Sequence, residues 1–228
     1  MSRITKLGIM LILFISAQSL KAQLVETRSL ASFNKVEMKG AGELILKKSN
    51  ENKVKVSLQK GDLSDLTTEV RNNTLYIRYE KKNYDGKDRL MITLSYKAIE
   101  ALSLAGAIKM DNSDLIKANS FTFESRGANK VNLEIAAQRF QLETSGADHL
   151  TIKGRAPIQS MEVSGAAQVN ALDLAGEEVT AEIRGAVHLK VNASKTLNAQ
   201  AYGAAHLRYK GSPDLNVIKK GVCSVSKI

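Results

Sequence analysis

Ser145-Gly146-Ala147-Asp148-His149-Leu150 returns one period later as Ser164-Gly165-Ala166-Ala167-Gln168-Val169, and this recurrence decides the reading of the chain. The pair Gly-Ala stands at Gly106, Gly127, Gly146, Gly165, Gly185 and Gly203, with gaps of 21, 19, 19, 20 and 18 residues. Gly221-Val222 follows after another 18. Four residues after each of these glycines comes an apolar residue: Met110, Val131, Leu150, Val169, Leu189, Leu207 and Val225. Four residues before come Leu102, Phe123, Leu142, Met161, Ala181, Ala199 and Val217. Polar residues fill most of the odd offsets, so the period is two and both flanks are strands.

A strand that returns to the same register every 18–21 residues stacks on its predecessor in parallel, one rung of about 4.8 Å away. The expected fold is therefore all-β: a parallel β-helix or flattened β-roll, its core filled by ladders of the inward residues. Glycine suits the corner because the turn between two strands needs a positive φ. An antiparallel sandwich of short strands fits the spacing alone, but gives no reason for the same flanks around every Gly-Ala.

The first half of the chain departs from the period. Phe33, Val36, Met38, Gly40, Ala41, Leu44 and Leu46 repeat the pattern once, and the next Gly-Ala lies 66 residues on. Between them the strand-like runs Val54–Leu58, Leu75–Tyr79 and Leu90–Tyr96 are separated by turn-rich stretches such as Asn72-Asn73 and Asn83–Gly86. Residues 47–98 read as an inserted β-meander that caps one end of the stack, since an open β-edge invites aggregation. The regular coils occupy 99–228, and 23–228 read as one domain. Ile228 falls inside what reads as a strand, so self-association through the solenoid ends is a further expectation.

Residues 1–22 read as a secretory signal peptide. Arg3 and Lys6 form a positive head and Leu7–Ala17 an apolar run, too short for a membrane span of about 20 residues. Cleavage is expected after Ala22. The whole chain holds 33 Lys and Arg against 23 Asp and Glu, a net charge of +10. One cysteine, Cys223, cannot form a disulfide within its own chain or build a cysteine-rich zinc site.

The opening Phe33-x-x-Val36-x-x-x-Gly40 and the repeated coils, with "SGADHL" at 145–150 and "SGAAQV" at 164–169, resemble the family described as "putative auto-transporter adhesin, head GIN domain" over roughly residues 30–225. The resemblance implies an all-β, β-helix-like fold and an envelope or secreted location: periplasm, outer-membrane surface or medium of a Gram-negative bacterium. It implies no catalytic residues.

Outward positions read as columns. Three residues after the glycines stand Lys109, Lys130, His149, Gln168, His188 and His206; two further on stand Lys190 and Arg208 in the last coils. These make a basic candidate interaction face of Lys109, Lys130, His149, His188, Lys190, His206 and Arg208. Three residues before the glycines, Glu124, Glu143, Glu162 and Glu182 form a candidate acidic ladder. Like charges about 4.8 Å apart repel by roughly 0.9 kcal/mol in water, and Arg126 and Arg184, each two residues beyond a Glu, are placed to offset part of it. The three His lie in one column, but two neighbouring imidazoles fall short of the three or four ligands of a zinc site, so no metal and no cofactor is expected.

Catalytic chemistry finds no foothold in the pattern. Asp111, Asp114, Asp148, Asp173 and Asp214 read as scattered outward residues, without the carboxylate pair that glycoside hydrolysis uses. No G-x-S-x-G or phosphate-binding glycine motif occurs. There is no Trp to build an aromatic sugar platform, and basic residues are spread along the chain rather than clustered as in nucleic-acid binders. The expected function is that of an exported, non-enzymatic solenoid, an adhesin or cell-envelope interaction protein whose flat faces bind a protein or an anionic polymer or glycan. The alternatives are a structural protein that assembles through its ends and a polysaccharide-active β-helix enzyme.

Overall fold

The computed structural model describes residues 24–80, 89–111 and 114–228; the proposed signal peptide and the Asn83–Gly86 turn lie outside them. The strands run in order β1 (Leu24–Ser29), β2 (Lys35–Lys48), β3 (Lys53–Gln59), β4 (Leu66–Arg71), β5 (Thr74–Tyr79) and β6 (Arg89–Tyr96). Then come β7 (Ala101–Asp111), β8 (Ile116–Lys117), β9 (Ser120–Gly127), β10 (Lys130–Ala136), β11 (Arg139–Gly146) and β12 (His149–Arg155). The last six are β13 (Ile158–Gly165), β14 (Gln168–Gly185), β15 (His188–Gly203), β16 (His206–Lys210), β17 (Asp214–Gly221) and β18 (Ser224–Lys227). They build a parallel β-solenoid of about seven turns.

Each coil has one strand before its corner glycine and one after it, and each pairs with its equivalent in the next coil. Before the corner the parallel order is β2, β7, β9, β11, β13, the second half of β14, the second half of β15, then β17. After the corner it is β2, β7, β10, β12, β14, β15, β16, β18. The corner glycines pair in one column from Gly40 through Gly106, Gly127, Gly146, Gly165, Gly185 and Gly203 to Gly221.

Two demands meet at these corners. Gly146 sits at φ +147°, and a Cβ there would stand 2.2 Å from the Gly127 carbonyl oxygen. That oxygen also accepts the Ala147 N–H at 2.8 Å. Only glycine satisfies both the backbone angle and the close approach of the next coil.

The inward ladders are buried as the alternation requires: Leu102, Phe123, Leu142, Met161, Ala181 and Ala199 in one column and Met110, Val131, Leu150, Val169, Leu189 and Leu207 in another. Phe121 and Phe140 stack at 6.4 Å between ring centroids. In the coil above, Gln159 takes that core position; its amide donates to the Ala156 carbonyl at 3.0 Å. Gly176 leaves room for it, because a Cβ there would lie 2.4 Å from Gln159 Nε2.

Residues 47–98 differ from a simple meander. β5 and β6 run parallel to the two halves of β2, so they continue the solenoid by a further coil that lacks the Gly-Ala corner. Antiparallel strands close that end: β4 on β5, through a turn with Asn72 and Asn73 at φ +49° and +60°, and β3 with β1 on β6. Alternation is the same in parallel and antiparallel strands, so the direction was not legible from the residues. Among the described residues no helix is long and apolar enough to cross a membrane.

Candidate functional site

The stacking turns sequence offsets into physical columns. After the corner, Lys109 pairs with Lys130, Lys130 with His149, His149 with Gln168, Gln168 with His188 and His188 with His206. Beside them Asn170 pairs with Lys190 and Lys190 with Arg208. Apart from half-buried Lys190 these side chains are exposed. The His188 and His206 rings lie face to face, 4.8 Å apart and within 9° of parallel, which is the rung spacing itself. Rings held this way point their nitrogens side by side rather than at a common centre, and His206 Nδ1 is engaged with Ser224 Oγ at 2.7 Å. Gln168 separates His149 from the pair. Among the described residues no three His, Cys, Asp or Glu side chains converge as metal ligands. A shallow depression of about 250 Å³ lies over Gln168 and Asn170, walled by His149, His188 and Lys190. At the other end of the column Lys109 is neutralised by Glu43 at 3.1 Å.

Before the corner, Glu124, Glu143, Glu162 and Glu182 pair in consecutive coils. Arg126 bridges Glu124 and Glu143, each at 3.1 Å. Its hydrogen bond to Glu143 is the main reason its pKa lies above the usual value. Arg184 pairs with Glu182. Two guanidiniums thus offset three of the four carboxylates, and such half-exposed pairs are worth under about 1 kcal/mol each.

A trench that the sequence reading missed runs along β7. Its outward residues Ala101, Ser103 and Ala105 are small, whereas β9 beside them carries Thr122, Glu124 and Arg126 and β2 carries Lys35, Glu37 and Lys39. The hollow measures about 690 Å³. Reading each outward column across coils, rather than each coil alone, exposes it.

Asp148 corrects the sequence reading. It points inward and is fully buried, because the second residue after each glycine turns into the core, as Ala167 and Val187 do. Its carboxylate accepts the Asn129 N–H at 2.8 Å and the Thr144 hydroxyl at 2.5 Å. One coil earlier Asn129 repeats the contact, its Oδ1 accepting the Ile108 N–H at 2.9 Å and its Nδ2 donating to Ser125 Oγ at 3.0 Å. This buried polar latch satisfies backbone groups and offers no surface chemistry. Leu215, which pairs in register with the buried Leu197, is 48 % exposed because no coil covers the last one among the described residues.

A parallel solenoid with in-register outward columns and Gly-Ala corners defines the class. Residues 32–213 match the model of the family "Putative auto-transporter adhesin, head GIN domain", and the chain belongs to that family. Comparison with curated proteins gives no match. A structure described as a putative adhesin from Bacteroides fragilis NCTC 9343 is 21 % identical, with TM-score 0.86 over 91 % of this chain and 98 % of that one. Two structures from Parabacteroides distasonis ATCC 8503 share the fold. One, described as a putative lipid binding protein, is 17 % identical, with TM-score 0.71 over 90 % and 96 % of the two chains. The other, described as a putative adhesin, is 18 % identical, with TM-score 0.69 over 91 % and 97 %. At these identities the likeness carries the fold alone.

Proposed function

We propose that the chain is an exported, adhesin-type module that acts by binding rather than by catalysis, its ligand an anionic polymer or glycan at the cell envelope. The observation that carries this reading is the exposed column of Lys130, His149, His188 and His206 with Lys190 and Arg208 beside it. In-register polar columns on a flat sheet, with Lys190 and Arg208 one rung apart, suit a repeating anion better than a small molecule. Membership of an adhesin family supports the binding role, and the signal-like residues 1–22 support export.

The test is binding of residues 23–228 to immobilised heparin and hyaluronan, with neutral dextran as control. Both polyanions are expected to bind in a salt-dependent manner, and Lys130→Glu/Lys190→Glu/Arg208→Glu to weaken binding at least tenfold. Equal binding to dextran, or an unaffected triple variant, overturns the reading. New reducing ends or unsaturated products in the same incubations would put the enzyme alternative in its place.

A further inference from the structure

We propose that the C-terminal pole of the solenoid docks end-on against an anionic lipid surface. The last coil keeps its corner at Gly221 but changes what several of its positions carry. Ile218 stands where the preceding coils carry Glu182 and Gln200. Val222 replaces the alanine that follows the glycine in each earlier coil, Ala204 being the nearest. Lys219 takes the position of the buried Ala201. The aliphatic groups are in the open: Val222 is 80 % exposed, Ile218 47 % and Leu215 48 %.

Charge is concentrated at the same pole. The last coil, residues 210–228, holds Lys210, Lys219, Lys220 and Lys227 against a single acid, Asp214. Lysines beside protruding aliphatics match an anionic bilayer, where phosphate groups meet the cations and the acyl boundary takes the aliphatics. A soluble polyanion makes no use of Val222 and Ile218. A second copy meets Lys219, Lys220 and Lys227 with the same three cations, against one Asp214 on each side, and is repelled. Among the described residues β17 and β18 pair on one side only, and the N–H and C=O groups of their outer edges need water, which keeps the contact at headgroup depth. These residues are distinct from the polymer-binding face, so either proposal stands or falls without the other.

The experiment is co-sedimentation of residues 23–228 with mixed phosphatidylcholine–phosphatidylglycerol vesicles and with pure phosphatidylcholine vesicles. Binding is expected only to the anionic ones. Each lysine near such a surface contributes about fivefold, so Lys219→Glu/Lys220→Glu is expected to lose at least tenfold. Ile218→Ser/Val222→Ser is expected to lose severalfold while keeping its melting temperature, and Lys47→Glu/Lys55→Glu, on β2 and β3 at the opposite end of the solenoid, to stay within about twofold of wild type. Absence of binding to the anionic vesicles overturns the proposal. Unchanged binding by Ile218→Ser/Val222→Ser overturns it in favour of a polyanion site. A concentration-dependent dimer in light scattering that this variant abolishes overturns it in favour of a second copy.

Discussion

Gly146→Ala tests the stacking on which every column depends. The new methyl would stand 2.2 Å from the Gly127 carbonyl oxygen and 2.8 Å from the Gly127 nitrogen, both backbone atoms that cannot swing aside. The backbone at φ +147° also costs an alanine about 1–3 kcal/mol. Relieving the overlap must lengthen the bond from Ala147 N–H to the Gly127 oxygen, now 2.8 Å, which forfeits about 0.5–1.5 kcal/mol more. With the repacking of the adjoining coils the loss is expected at about 3–5 kcal/mol. Gly203→Ala is the internal control. Its φ is +91°, but the nearest atom to its Cβ, the Gly185 oxygen, lies 3.1 Å away, a tight approach that a shift of a few tenths of an ångström relieves, so the angular strain of about 1–3 kcal/mol dominates. Urea unfolding followed by far-ultraviolet circular dichroism measures both. If Gly146→Ala proves no more costly than Gly203→Ala, or falls within about 0.5 kcal/mol of wild type, the coil-to-coil contact is not what selects glycine.

Three further outcomes follow from the same structure. Asp148→Ala leaves the Asn129 N–H and the Thr144 hydroxyl without their acceptor in the core and is expected to cost about 2–4 kcal/mol in urea unfolding, whereas Asp148→Asn, which keeps an acceptor for the N–H, is expected to cost about 1 kcal/mol. Burial, reinforced by the Asp114 carboxylate, pushes the Tyr96 hydroxyl up to about 12. The folded protein then holds a proton that the unfolded chain releases near pH 10, so this contribution is whole below pH 10 and is lost as pH climbs towards 12, by about 2–3 kcal/mol. Tyr96→Phe is expected to flatten the alkaline slope in denaturation midpoints. Arg126→Gln removes the bridge between Glu124 and Glu143, at a cost of under about 1 kcal/mol in dilute buffer that vanishes at about 1 M salt, where screening acts within about 3 Å; an equal loss at high salt would show that packing, not charge, is at stake.

What the residues alone determined was the coil. The period, the corners and the inward or outward sense of each strand position follow from two local properties, the alternation of side chains along a strand and glycine's freedom at positive φ. Given those, the basic column through Lys130, His149, His188 and His206 and the acidic column through Glu124, Glu143, Glu162 and Glu182 follow from the spacing of the residues themselves. The tertiary structure alone decided what depends on partners distant in the chain. It ran β5 and β6 parallel to β2, a direction that alternation does not encode. It supplied the buried partners, the Asn129 N–H and the Thr144 hydroxyl, that let a carboxylate stand at Asp148, an inward offset it shares with Leu150 and Ile152. It also opened the trench over Ala101, Ser103 and Ala105 and left Leu215, the register partner of buried Leu197, 48 % exposed at one pole, since relief and cover belong to neighbouring coils and not to any one segment of sequence.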